Sequence, residues 1–163
     1  LRSDLVLKIA RQILSGLDHS HSKQLIHSDI KPQNIFLDKN EQSTLVDFGI
    51  ARTMGSQVKD QTVYGTPGYI SPEQITGQPA TPRSDVYSLG VTLYEMLTGE
   101  MPFEDETLDL ILENQLKRIP PPPSQISSNV PAWMDKVILK MMKRNPTERY
   151  ESARDVLKDL PQD

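Results

Sequence analysis

His27-Ser28-Asp29-Ile30-Lys31-Pro32-Gln33-Asn34, followed thirteen residues after Asn34 by Asp47-Phe48-Gly49, decides how this chain is read. Asp29 offers a carboxylate that can accept a hydrogen bond from an attacking hydroxyl. Lys31, two residues on, brings an ammonium to the same place, and Asn34 and Asp47 supply hard oxygen ligands of the kind Mg²⁺ takes alongside phosphate and water. Phosphoryl transfer asks for little else: an aligned hydroxyl, metal ions across the phosphates, and positive charge near the transferred group.

Order and spacing together resemble the catalytic loop and D-F-G motif of the eukaryotic-type (Hanks-type) protein kinases. Three further segments fall in family order. Gly65-Thr66-Pro67-Gly68-Tyr69-Ile70-Ser71-Pro72-Glu73 is similar to the end of an activation segment, with S-P-E where A-P-E is usual. Asp85-Val86-Tyr87-Ser88-Leu89-Gly90 resembles the start of the central helix, whose Asp holds the catalytic-loop backbone in that family. Arg144 to Arg149 resembles the segment whose Arg pairs with the activation-segment Glu, which implies a buried Glu73–Arg149 ion pair.

The resemblance implies a serine/threonine protein kinase using ATP and Mg²⁺, with Asp29, Lys31 and Thr66 as catalytic residues. Lys31, Asn34 and Asp47 would contact the nucleotide, and Asn34 and Asp47 the metal. In the family, Lys31 and the G-T-P-x-Y turn Gly65 to Tyr69 go with Ser/Thr substrates, and Thr66 is placed to bond both Asp29 and Lys31. Thr98-Gly99-Glu100-Met101-Pro102-Phe103 adds a likeness to the bacterial Ser/Thr kinases. Ser28 stands where regulated kinases carry an Arg that meets a phosphorylated activation loop, so activity is expected to depend little on such phosphorylation. Thr53, Ser56, Thr62 and Tyr64 are the candidate phosphosites, Thr62 foremost.

The rest of the chain fits around these motifs. Ser3 and Asp4 can cap a helix carrying Leu5, Val6, Ile9, Ala10, Ile13, Leu14 and Leu17 at helical spacing. Leu25-Ile26, Ile35 to Leu37 and Thr44 to Val46 read as short strands, with a turn at Asp38 to Glu41. Asp47 to Glu73 reads as a long loop, which in a compact domain is usually functional. A helix opening at Ser84 or Asp85 and running to Leu97 is apolar nearly all round, so it belongs at a domain centre. Further helices are expected over Thr107 to Gln115, from Pro131 to about Lys143, and from Ser152, with Pro120 to Pro123 a rigid connector. His27 reads as a core residue that orients the loop. The fold class is therefore mainly α: a kinase-like large (C-terminal) lobe, residues 1–163, with a small β-strand pair at the catalytic cleft.

Composition removes several other functions. The 163 residues carry a net charge of −4, so no polybasic surface argues for nucleic acid or anionic membrane. With no cysteine there are no disulfides and no thiolate metal sites. No apolar run approaches the ~20 residues of a membrane span. Among family elements, the Gly-rich loop, the strand Lys and its helix Glu partner belong upstream of the matched region, and no G-x-G-x-x-G occurs here. The expectation is a lobe that needs the N-terminal, ATP-gripping lobe as its partner, is inactive alone, acts on protein Ser/Thr side chains, and works in the cytoplasm or on the cytoplasmic side of a membrane receptor. A half-kinase or pseudokinase serving as a non-catalytic binding module is the alternative.

Overall fold

In the computed structural model, which describes residues 1–48, 52–54 and 65–161, the chain is mainly helical. Helix α1 (Ser3–Ser22) buries Val6, Ile9, Ala10, Ile13, Leu14 and Leu17 along one stripe, as the spacing requires. Its N-cap is Arg2, with no side-chain cap. The expected caps Ser3 and Asp4 lie inside the first turn, and Ser3 Oγ donates instead to the Asn129 carbonyl at 2.8 Å. That bond ties the helix start to a distant loop.

Strands β1 (Leu25–Ile26), β2 (Ile35–Leu37), β3 (Ser43–Leu45) and β4 (Arg52–Thr53) form two separate antiparallel pairs, β1 with β4 and β2 with β3. Ile35 faces Leu45 and Leu37 faces Ser43 across the second pair, the one the sequence indicated. The first pair, Leu25 with Thr53 and Ile26 with Arg52, falls partly in the stretch read as loop. Two residues are too few to carry a period, so β4 left no pattern to find. The β2–β3 turn is closed by Asp38, whose Oδ1 accepts the N–H groups of Asn40 and Gln42, each at 2.8 Å.

Helix α2 (Pro72–Ile75) and the long helix α3 (Pro82–Thr98) follow. The latter starts two residues before Ser84, because Thr81 and Ser84 form a reciprocal capping box around Pro82 at the first helical position. It ends at Gly99, φ 77°, a left-handed conformation that glycine adopts without Cβ strain. Residues 84 to 94 of α3 are buried on every side, confirming its central place. Helix α4 (Leu108–Lys117) is capped by Thr107, α6 (Ala132–Met141) begins after Pro131, and α7 (Ala153–Asp159) is capped by Ser152. Pro123 opens a short helix, α5 (Pro123–Ile126), where only a connector was expected. Apolar side chains of α1, α3, α6 and α7 make one continuous core. Phe36, Leu37, Val46 and Phe48 are left exposed on and beside the β2–β3 pair.

Candidate active site

The loop from His27 to Asn34 is suspended from the start of α3. Asp85, fully buried, accepts the backbone N–H of His27 on Oδ2 and that of Ser28 on Oδ1, both at 2.9 Å. Ser28 has φ 69°, a left-handed turn that non-glycine residues adopt at some cost; here the two bonds to Asp85 compensate for it. The Ser28 hydroxyl is buried and without a hydrogen-bond partner. His21, near the end of α1, completes the anchor by donating from Nε2 to Asp85 Oδ2 at 2.8 Å. His21 belongs to none of the motifs; its position six residues before His27, on the inward side of α1, was the available signal.

His27 is wholly buried and its protonation follows from its partners. The Asp29 N–H donates to Nδ1 at 3.2 Å, so Nδ1 is bare and Nε2 carries the hydrogen, which it gives to the Val46 carbonyl at 3.0 Å. The neutral ring therefore joins the loop to the chain just before Asp47. Phe48 closes on the same ring edge-to-face, with centroids 4.5 Å apart.

Four of the five residues singled out as catalytic or ligand-binding are directly hydrogen-bonded to one another. Thr66 Oγ1 donates to Asp29 Oδ1 at 2.7 Å and accepts from Lys31 Nζ at 2.8 Å. Lys31 Nζ lies 3.3 Å from Asp29 Oδ2, both side chains being mostly buried. Asn34 Nδ2 donates to the Asp29 carbonyl at 2.7 Å and to Asp29 Oδ2 at 3.3 Å. Asp47 joins through the main chain, because the Val46 N–H donates to the Asn34 carbonyl at 2.8 Å. Asp47 itself has φ 63°. Thr53 lies on β4, exposed; Gly49, Ser56, Thr62 and Tyr64 lie outside the described residues.

The donor set suits Mg²⁺. With its amide nitrogen committed to Asp29, Asn34 has its carbonyl oxygen left for a hard cation, and Asp47 adds a carboxylate. Among the described residues no cluster of three or more His, Cys, Asp or Glu could hold a metal by protein ligands alone. Two oxygen ligands fit a cation that takes most of its shell from phosphate and water.

The turn Gly65 to Tyr69 delivers Thr66, and it too is tied down. The Tyr69 and Ile70 N–H groups both donate to the Thr66 carbonyl, Ser88 Oγ on α3 donates to the Tyr69 carbonyl at 2.7 Å, and the Tyr69 hydroxyl donates to Glu95 at 2.5 Å. Burial, and then the Glu95 carboxylate, push the Tyr69 phenol well above its usual range, so it remains a donor. Beyond it, Glu73 and Arg149 form the expected pair in bidentate form, Nη1 to Oε1 at 2.8 Å and Nη2 to Oε2 at 2.7 Å. Arg149 spends its other donors on the carbonyls of Lys143, Arg83 and Arg144, so no part of the buried guanidinium is stranded.

Residues 1–160 match the protein kinase domain family. The chain is 39% identical over 158 residues to the serine/threonine-protein kinase PknB of Mycolicibacterium smegmatis, covering 94% of this chain and 25% of that protein. It is 39% identical over 156 residues to the serine/threonine-protein kinase PrkC of Bacillus subtilis, covering 94% and 24%. The chain thus spans about a quarter of the length of these curated relatives.

Proposed function

This chain belongs to the protein kinase domain family, and from that premise we propose that it is the catalytic-loop lobe of a serine/threonine protein kinase, which moves the γ-phosphoryl group of Mg-ATP to Ser/Thr hydroxyls of proteins. The observation that carries the reading is the Asp29–Thr66–Lys31 cluster, with Asn34 bonded into it. A carboxylate, an ammonium and an amide held within hydrogen-bond reach serve no packing purpose that apolar residues would not serve better.

In this reading Asp29 accepts a hydrogen bond from the acceptor hydroxyl and then its proton. The hydroxyl oxygen bonds to the γ-phosphorus as the bond to the bridging oxygen of ADP breaks. Lys31 places positive charge beside the transferred group, and Thr66 fixes the spacing of Asp29 and Lys31. Asn34 and Asp47 would hold Mg²⁺, which would supply positive charge to offset that of the phosphates. We assign the main grip on the nucleotide to an N-terminal lobe that packs against this one. The exposed Phe36, Leu37, Val46 and Phe48 support such a neighbour, since large apolar side chains beside a reactive site usually meet a partner. A cytoplasmic setting, where ATP is abundant, follows from the same reading.

The test is phosphoryl transfer by the full-length protein. Asp29→Asn keeps the shape and removes the proton acceptor, so turnover on a Ser/Thr peptide should drop by roughly 10²–10⁴-fold. Near-normal turnover would show that the role is misassigned, and absence of transfer by the unsubstituted protein would favour a non-catalytic binding module. For residues 1–163 alone, calorimetry should find ATP binding at about millimolar Kd or weaker; micromolar binding would refute the need for the second lobe.

A further inference from the structure

Gln115 is a polar residue buried in the middle of the protein, and the phosphotransfer chemistry does not use it. It lies near the end of α4, only 1% exposed, and its side chain is fully occupied. Oε1 accepts the Gly68 N–H at 3.1 Å. Nε2 faces the Gly68 carbonyl at 3.1 Å, the Ile70 carbonyl at 2.8 Å and the Tyr87 hydroxyl at 3.3 Å. The amide can sit only one way round, because a flip would turn its oxygen towards two carbonyls and its nitrogen towards an N–H.

Gly68 needs such a clamp. Its φ is 92°, a conformation that few residues adopt, and an added Cβ would come within 2.7 Å of Met101 Cε. Glycine reaches that φ without strain but has the freest backbone of any residue, so it is the surroundings that hold it to one shape. Gln115 takes both polar groups of Gly68, and Ser88 takes the carbonyl of Tyr69. Two residues upstream is Thr66, bonded to Asp29 and Lys31. Beyond Gly68, the turn borders an open groove of about 660 Å³ whose walls include Pro67, Met101, Phe103 and Ile111 of the same α4. One side chain therefore sets α4 and the turn in register, and with them both the groove and the active-site threonine.

We infer that Gln115 is a positioning residue for the protein substrate: it holds the Gly65–Tyr69 turn in the shape against which the acceptor-bearing segment lies. The inference rests on the kinase reading. It gives α4 a role distinct from catalysis, because no atom of Gln115 contacts Asp29, Lys31, Asn34 or Asp47 among the bonds described.

The test uses the full-length protein and a Ser/Thr peptide, with the unsubstituted enzyme assayed first. Gln115→Leu keeps the volume and removes every hydrogen bond. The peptide KM should rise about tenfold, the ATP KM should move less than about twofold, and hydrogen exchange at the Gly68 amide should quicken about tenfold. A purely structural role would raise both KM values together or lower kcat alone. If Gln115→Leu does not fold, Gln115→Glu keeps the acceptor for the Gly68 N–H but loses both donors to carbonyls, and it should raise the peptide KM while leaving Gly68 exchange slow. An unchanged peptide KM in a folded variant, or parallel rises in both KM values, overturns the inference and leaves the kinase reading intact. No transfer by the unsubstituted enzyme overturns the kinase reading, and the substrate role of Gln115 with it.

Discussion

Asp85 accepts the backbone N–H of His27 across 58 positions of sequence, at 2.9 Å, and so fixes the His27–Asn34 loop to the most deeply buried helix of the chain. The same carboxylate takes the Ser28 N–H and the His21 ring N–H. Three donors on one buried carboxylate make the loop geometry a property of the core rather than of the loop.

Asp85→Asn tests that dependence. The amide has the same size but offers one oxygen and one NH₂ group where three donors converge, so at least one buried N–H loses its acceptor. Bonds to a charged partner are worth ~1.5–3 kcal/mol each, and the net loss should be about 2–4 kcal/mol by urea denaturation. Phosphoryl transfer should fall with it, since Asp29 follows directly after the released residues. An unchanged urea midpoint would mean that the loop holds its shape by itself.

The Glu73–Arg149 pair makes a prediction with a pH sign. Burial pushes the Glu73 carboxyl up, but hydrogen bonds and charge from Arg149 outweigh it and hold the group below its ordinary 4.5. A lowered folded value means that the unfolded chain takes up the proton first as pH falls. The pair's contribution is therefore complete above the unfolded value and is lost as pH drops through the folded one. Arg149→Met strands the buried carboxylate and should cost about 3–5 kcal/mol near neutral pH. In that variant the acid loss should shrink or reverse, because protonating Glu73 then relieves a buried charge. Stability curves of the two proteins that stay parallel from neutral pH down to pH 3 would contradict the assignment.

Much of this was legible in the sequence because the motifs pack their chemistry into short windows. Asp29, Lys31 and Asn34 sit within six positions, and the loop that carries them has few ways to turn. Glu73 with Arg149 was readable only through family resemblance, since nothing in residues 76 positions apart predicts contact. Helix α3 announced itself by being apolar all round, but its start was misplaced because Pro82 at a first helical position resembles a breaker. Strand β4 escaped because pairing across two residues is decided by tertiary context. His21 and Gln115 escaped for the opposite reason: each is a lone polar residue on a helix, where the ordinary reading is a solvated face, and only the fold shows which face is turned inward.

Ser28 yields a prediction about control. An Arg at this position could meet a phosphorylated loop residue through a paired, charge-assisted fork, whereas Ser28 brings no charge and its hydroxyl is buried without a partner. A phosphate arriving near this loop therefore gains nothing from residue 28. In the full-length protein, Thr62→Ala should lower phosphoryl transfer by less than about threefold, as should Thr53→Ala and Ser56→Ala, because no cation at residue 28 is waiting for their phosphates. Thr66→Ala should behave differently and cost far more, since that hydroxyl bridges Asp29 and Lys31 directly. The comparison separates a hydroxyl used as a hydrogen-bonding group from one used as a phosphate acceptor. A large loss at Thr62 that is restored by Thr62→Glu would show that another cation has taken over the task, and would end the argument from Ser28.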